Sequence, residues 1–524
     1  MDYLLAIDAG TGSVRAVLFD TNGIQIGCVQ KEWFHREDPR YPGSMDFDCK
    51  ANWELAASCV REVIAAPGIN LSRILAVSTT CMREGFVLYD SAGNELWACA
   101  NVDARAGDEV AELKRISVSL EQELYAETGQ TFALGALPRL LWVKNKQPEI
   151  YRKTAKIGMI NDWLIYKLSG VFTSEPSNGS TTGLFSLKTR RWDAAIAARC
   201  GLHTGIFPDT AECGERAGAV SAKGAKDTGL IEGTPVVTGG GDCQLGTVGV
   251  GVVNDNEAAV FGGSFWQYEY NTASEALPAE CSLRVNCHAL PSLRQYEALA
   301  FNPGLAVRWY RDAFCMEEKR VALRLNTAEK PVDAYALLDG AASTIPAGCG
   351  GMLCAFSDVM NYISWRHAAP TFTNFALDAA AFNKYTFYRA LLENACLVTR
   401  GHLELVSKTT GSVPRSVTFA GGAAKSKLWA QILADVLELP VNVPVVKEAS
   451  ALGAAIFAGK GAGLYASIEE TAKEFVKIER TFMPEPQNTG AYRKAFAAWK
   501  AVYPAQLELA DKKLTSYMWR APGL

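Results

Sequence analysis

The chain has 524 residues, 49% of them hydrophobic and 21% charged, enough to bury several cores and, at roughly 150 residues per domain, to form two to four domains. Its 52 Lys and Arg nearly balance its 56 Asp and Glu, the net charge is -4, and no basic stripe suited to a phosphate backbone appears, which excludes nucleic acid as a partner. No run is long and apolar enough to span a bilayer, and MDYLLAIDAG has an acid at position 2 and no basic leader, so the reading is a first strand in a cytoplasmic protein without membrane partners.

The opening predicts strand, turn, strand: YLLAID, the turn AGTGS, then VRAVLFD. TNG supplies hairpin chemistry because Asn and Gly tolerate positive φ, and IQIGCVQ reads as a third strand. The turn gathers Asp8, Gly10, Thr11, Gly12, Ser13 and Arg15. Close-approaching amides, hydroxyls and a guanidinium suit phosphate oxygens, and Asp8 suits a hydrated Mg2+; an ordinary glycine hairpin with a surface arginine is the alternative. Next, NWELAASCVREVIAA sets Trp53, Ala56, Ala57, Val60, Val63 and Ile64 on one helical face, and ILAVSTT reads as a buried strand. Strands alternating with helices predict an α/β domain.

Arg83 and Glu84 follow that strand, where open α/β sheets place their ligands, with a surface ion pair as the plain alternative. Asn101, Asp103 and Arg105 in ACANVDARA either hydrogen-bond a polyhydroxyl ligand or cap the helix ARAGDEVAELK. VTGGGDCQLGT over 237–247 ends a strand in glycines and sets Asp242 at a helix start. An N-cap is the common role of an acid there, but the glycines suit a backbone that lets substrate and phosphate come close. Asp242 is therefore a candidate general base toward an attacking hydroxyl, with Gln244 nearby as a candidate hydrogen-bond partner.

EAAVFGGSFWQYEYN over 257–271 repeats strand, glycine turn, strand. Matching Ser264 to Ser13 gives an offset of 251 residues (264 minus 13), about half the chain, which predicts a degenerate internal repeat. The predicted boundary falls between roughly 245 and 256, with VVNDNE as the connection, and divides the chain into 1–248, 249–480 and a tail at 481–524 read as helix plus loose end. Gly262, Gly263 and Ser264 would face the first turn across a cleft. Cys281, Cys287 and His288 form a loose cluster read as packing, and the 14 cysteines, without regular spacing, read as reduced thiols. SVTFAGGAAKSKLWAQILADVLELPV predicts strand, glycine pair and a helix burying Leu428, Ile432, Leu433 and Val436; Gly421 and Gly422 admit an adenine face or phosphate oxygens. EASALGAAIFAGKG over 448–461 is a small-residue helix suited to close packing behind such a pocket, or simply to a core.

In this order, over nearly the whole chain, these segments resemble the FGGY family of carbohydrate kinases, which share the fold of actin, hexokinase and the Hsp70 ATPase. The resemblance implies an α/β protein of two actin-like (ribonuclease H-like) ATPase domains flanking a deep cleft, using ATP and Mg2+ to phosphorylate an alcohol of a small molecule. It implies a first phosphate loop from Asp8, Gly10, Thr11, Gly12, Ser13 and Arg15, with Asp8 holding Mg2+ through water, and a second from Gly263 and Ser264. It implies Asp242 as the base, Arg83 and Glu84 around the acceptor, and Gly304, Arg308, Gly422 and Ser426 around the nucleotide; the reading of the residues adds Asn101, Asp103 and Gln244 to the acceptor side and Gly421 to the nucleotide side. The strings CMREG, GGGDCQLG, PVNVPVVKEASALGAA and WRAPGL narrow the implied acceptor to 4,5-dihydroxy-2,3-pentanedione, phosphorylated on its terminal hydroxyl. A xylulose- or glycerol-type acceptor is the alternative, although Asn101, Leu134 and Arg308 depart from the sugar- and glycerol-kinase patterns. An actin-like ATPase without a small acceptor, or a silent sensor, is disfavoured by Arg83, Glu84 and Asp242. An oligomer or a regulatory protein partner is left open.

Overall fold

A computed structural model describes residues 1–327, 332–357, 361 and 363–523. The first apolar run forms β1 (Tyr3–Ala9), buried along its length because it lies inside a sheet covered on both faces. β2 (Ser13–Asp20) and β3 (Gln25–Glu32) continue antiparallel, while β4 (Ile74–Cys81) lies parallel to β1 on its other side. With β5 (Arg216–Ala219) and β6 (Pro235–Gly241) the sheet runs β5-β6-β4-β1-β2-β3. Between β3 and β4, helix α1 (Cys49–Ile64) starts at Asp48, whose carboxylate accepts from the Ala51 amide. The helix buries the apolar face read from the sequence, Trp53 to Ile64, in the same core as β1 and β2. Each large side chain there contributes about 1.5–3 kcal/mol.

Beyond α2 (Asp242–Gly249) the pattern returns. β7 (Glu257–Gly262) pairs antiparallel with β8 (Trp266–Thr272); β9 (Arg284–Cys287) and β10 (Arg294–Ala300) extend that side. β11 (Val417–Ala420), β12 (Val441–Pro444) and β13 (Ile478–Phe482) extend the other, giving β9-β10-β8-β7-β11-β12-β13. The run β10-β8-β7-β11-β12 has the same pairing sense as β3-β2-β1-β4-β6: two antiparallel contacts, then two parallel ones. The repeat is therefore one of topology, with Gly10–Ser13 at one hairpin tip and Gly263–Phe265 at the other.

Helices α3 (Pro303–Phe314), α4 (Lys384–Thr410) and α5 (Lys427–Leu437) belong to the second half, and α5 buries Trp429, Ile432, Leu433 and Val436, with Leu428 only partly covered. α6 (Ala449–Gly461) instead returns to pack on β1, β4, β6 and α2. That crossing is close because a Cβ on Gly453 would overlap the Leu245 carbonyl, and one on Gly249 the Ala449 carbonyl. The tail differs from its reading as helix plus loose end. α7 (Pro486–Asp511) buries Tyr492, Phe496, Trp499 and Tyr503 in the second core, and Tyr517–Arg520 pairs as a strand with Arg366–Ala368.

All fourteen cysteines are free thiols. Cys281 and Cys287 are buried, and His288 bonds to the Thr247 hydroxyl (3.0 Å) and accepts from the Leu290 amide (3.0 Å), so that cluster is packing. No helix among the described residues is long and apolar enough to cross a membrane.

Candidate active site

In the second half, a cavity of about 740 Å³ is lined by Gly263, Ser264, Gly304, Arg308, Gly422 and Ser426, so the structure brings these six sequence-selected residues together. α3 begins at Pro303, and a Cβ on Gly304 would overlap the Gly263 carbonyl, so glycine is what lets the helix start abut the second turn. The positive end of a helix thereby points at a site suited to anions. Gly421 has φ 88°, and a Cβ there would stand 2.7 Å from the Gly262 carbonyl oxygen, so this neighbour of the lining also requires glycine. Ser426 caps α5, its hydroxyl accepting from the Trp429 amide at 3.0 Å. Sequence reasoning missed Tyr335 and Asp339 in the same wall. Burial holds Asp339 above its usual range against the hydrogen bonds of Ser426 and Tyr388. Its only sequence signal was an acid within the otherwise apolar helix Ala334–Ala342.

The first turn is held from behind: the Trp33 indole donates to the Gly10 and Thr11 carbonyls (3.0 and 3.1 Å), and the His35 ring bonds to the latter (2.7 Å). Gly12 and Gly10 have open space or ordinary contact where a side chain would stand. Arg15 lies 3.6 Å from the Asp8 carboxylate and donates to Glu448 at the start of α6. Burial, then the Asp242 and Glu448 carboxylates, push Asp8 up to about 7 despite the pull of Arg15. Asp8 is level with Thr80 on β4, and Thr80 with Gly240 on β6, so Asp8 and Asp242 rise from the same edge of one sheet. None of the first-turn residues lines the 740 Å³ cavity.

Asp242 opens α2, its carboxylate accepting from the Cys243 amide (2.8 Å) and lying 3.3 Å from the Arg83 Nε. Burial raises its pKa, Arg83 opposes the rise and Glu84 adds to it. Ser450 of α6 donates to the Asp242 carbonyl at 2.9 Å, tying the helix start to the crossing. Gln244 is fully buried with neither amide atom paired.

The glycines before Asp242 make room for protein and not, as their pattern suggested, for ligand. A Cβ on Gly239 would overlap the Thr79 carbonyl, on Gly240 the Ser177 hydroxyl region, and on Gly241 the Gln244 amide. Asn101 and Asp103 are also engaged elsewhere. Asn101 donates to the Thr11 hydroxyl at 2.9 Å, which places it against the first turn. Asp103, 1% exposed, accepts from the Met45 amide (2.7 Å) and the Arg105 Nε (2.8 Å), which occupies the carboxylate that the sequence reading turned toward the acceptor.

Residues 3–249 match the N-terminal domain, and residues 289–462 the C-terminal domain, of the FGGY family of carbohydrate kinases. The chain is 48% identical to an autoinducer-2 kinase of Yersinia pestis bv. Antiqua over 524 residues, covering 100% of this chain and 98% of the relative. It is 49% identical to that of Escherichia coli (strain ATCC 8739) over 523 residues, with the same coverage. Among solved structures it superposes on xylulose kinase from Rhodospirillum rubrum with a TM-score of 0.84 at 23% identity, covering 97% of this chain and 99% of that one. On Plasmodium falciparum glycerol kinase with ADP the TM-score is 0.82 at 19% identity, covering 97% and 98%. Matched through both domains and along its whole length, the chain belongs to the FGGY family of carbohydrate kinases.

Proposed function

We propose that this kinase transfers the terminal phosphoryl group of ATP to the terminal hydroxyl of 4,5-dihydroxy-2,3-pentanedione, the parent compound of autoinducer-2, in the cytoplasm. The observation that carries the acceptor is the 48–49% identity to autoinducer-2 kinases along the full chain. Residues 1–248 serve the acceptor and first phosphate turn, and residues 249–480 the nucleotide.

The donor set fits both groups. The cavity beside Gly263 and Gly422 offers backbone, a helix start and the Asp339 carboxyl to a nucleoside and its phosphates. Gly421 and Ser426 shape its adenosine side, and Arg308 reaches phosphate from the rim. Asp8, whose ionised form is disfavoured by burial, gains from a cation and would hold Mg2+ through water. Mg2+ when bound neutralises charge on phosphate oxygens. The chain's own residues do the rest. Thr11, Ser13 and Arg15, with the amides around Gly10 and Gly12, hold phosphate from the first half, and Gly263 and Ser264 from the second. Arg83, Glu84 and Gln244 orient the acceptor. Asp242 takes the hydroxyl proton; burial raises its affinity for that proton, and Arg83 opposes the rise.

Incubating the chain with ATP and, separately, the dihydroxypentanedione, xylulose and glycerol tests this by mass spectrometry. The expected result is ADP and a singly phosphorylated product, fastest with the dihydroxypentanedione. Faster turnover of xylulose, or ATP consumption indifferent to any acceptor, sinks the assignment.

A further inference from the structure

Arg83 and Glu84 stand at the end of β4 in the first half, yet each is ion-paired to the second. Arg83 donates to Glu297 on β10, and Arg284 on β9 donates to Glu84. Arg284 also lies 3.5 Å from the other Glu297 oxygen, closing an alternating chain Arg83, Glu297, Arg284, Glu84 across the two halves. Arg83, Glu84 and Arg284 are 4–7% exposed and Glu297 is fully buried, so solvent does not screen these charges. With Asp242 beside Arg83, two guanidiniums face three carboxylates. Glu269, the cross-strand neighbour of Glu297 on β8, is buried, and that burial, then the Glu297 carboxylate, push it well above the usual carboxylate range. Burial works against the charged form of Glu297 as well, but Arg83 and Arg284 outweigh it and hold that group ionised. The ligand atoms of Cys243, Glu269 and Glu297 lie within 4.8 Å of one another, but two guanidiniums already sit on Glu297 and burial disfavours the ionised form of Glu269, both of which work against a metal ion there.

We propose that Glu297, working through Arg284, is a specificity-determining residue that restricts this site to uncharged polyhydroxy acceptors and rejects sugar acids. This deepens the proposed function and rests on its reading of Arg83 and Glu84 as acceptor ligands. A sugar acid needs a free cation to offset its carboxylate. Here both arginines are already neutralised, and the remaining local charge, on Asp242, repels an anion. Arg83 keeps hydrogen-bond donors for a neutral hydroxyl or carbonyl but no unbalanced charge.

The test measures competitive inhibition of acceptor phosphorylation by xylitol and by xylonate, which differ by one carboxylate. On the unaltered enzyme xylitol is expected to inhibit at least tenfold more tightly than xylonate. In Glu297→Gln, xylonate is expected to bind at least tenfold more tightly than in the unaltered enzyme, the KM of the neutral acceptor to rise, and the KM of ATP to stay within twofold. The double variant Glu297→Gln with Arg284→Gln removes one charge of each sign and is expected to exclude xylonate again, which a merely structural role does not produce. Equal inhibition by xylitol and xylonate in the unaltered enzyme overturns the proposal even if the variants fail to fold, as does a Gln variant without the xylonate gain. Those results leave the proposed function standing, whereas failure to phosphorylate any neutral acceptor overturns both.

Discussion

Five strands with the same pairing appear twice in this chain, but the two halves treat their polar residues in opposite ways. In the second half, glycines at the turn and at the start of α3 leave a cavity of about 740 Å³, and few charges line it. In the first half the charges at the turn and after β4 already have partners: Asp8 with Arg15, Arg15 with Glu448, Arg83 with Asp242 and Glu297. A scaffold duplicated at the level of strands can thus divide the work, one copy making space for a large ligand and the other fixing charge where phosphoryl transfer needs it. Duplicated topology alone does not foretell this, because the division lies in which turn residues lack side chains and which carry charge.

The sharpest way to break the comparison is to neutralise a charge of the first half. Asp8 has a pKa of about 7 in the fold against 3.8 outside it. An acid raised in this way favours the folded state when protonated, so its burial weakens the fold progressively as pH climbs from about 4 to about 7. Asp8→Asn should therefore stabilise the ligand-free protein at pH 8, by on the order of 4 kcal/mol at most, and by less than half of that at pH 5. Thermal unfolding at both pH values checks it. The same variant should lose most of its Mg2+-dependent turnover. Equal stability at pH 8 would show that Arg15 offsets the burial of Asp8 in full, so that the pair costs the first half no stability.

Asp242→Asn comes next. Turnover should fall by a factor of roughly 100 or more, the scale of losing a general base, while ADP affinity measured by calorimetry stays unchanged. Loss of nucleotide binding in this variant would merge the two tasks that the halves separate. Gly304→Ala acts on the other side. A methyl there overlaps the Gly263 carbonyl, and overpacking of this kind costs about 1–3 kcal/mol. The KM of ATP should rise roughly tenfold, with the acceptor KM nearly unchanged; equal rises in both would mean that α3 supports the acceptor as well.

The periodic and the glycine-marked parts of this arrangement were legible in the sequence. The apolar face of α1, the strand that becomes β4 and the glycine turns all follow from local spacing, which needs no knowledge of distant contacts. The run Gly239 to Gly241 was located correctly but explained wrongly, because Thr79, Ser177 and Gln244 crowd it from segments that local pattern does not connect. Asp103 looked like a ligand residue for the same reason: its partner Met45 is 58 positions away. The pairs that fix Arg83 and Glu84 span 214 and 200 positions, and no turn, cap or periodicity encodes a contact between two halves of a chain. Asp339 was missed because a single acid in an alanine-rich helix looks like solvent-facing charge until Tyr388 is folded against it at 2.9 Å.

The smallest effect is expected where the halves touch through Arg15 and Glu448. Their side chains are 24% and 20% exposed, so water weakens the pair, and partly exposed ion pairs contribute about 0–1 kcal/mol. Glu448→Gln should change the unfolding free energy by no more than that. It also removes a carboxylate that competes with phosphate for the Arg15 guanidinium and that helps to hold Asp8 protonated. The KM of ATP should accordingly fall by about twofold to threefold, less than 1 kcal/mol. Initial rates at saturating acceptor decide it. A tenfold rise instead would mean that Glu448 draws the first turn toward the nucleotide, so that the charges of the first half act by closing the cleft and not by waiting, already paired, at its edge.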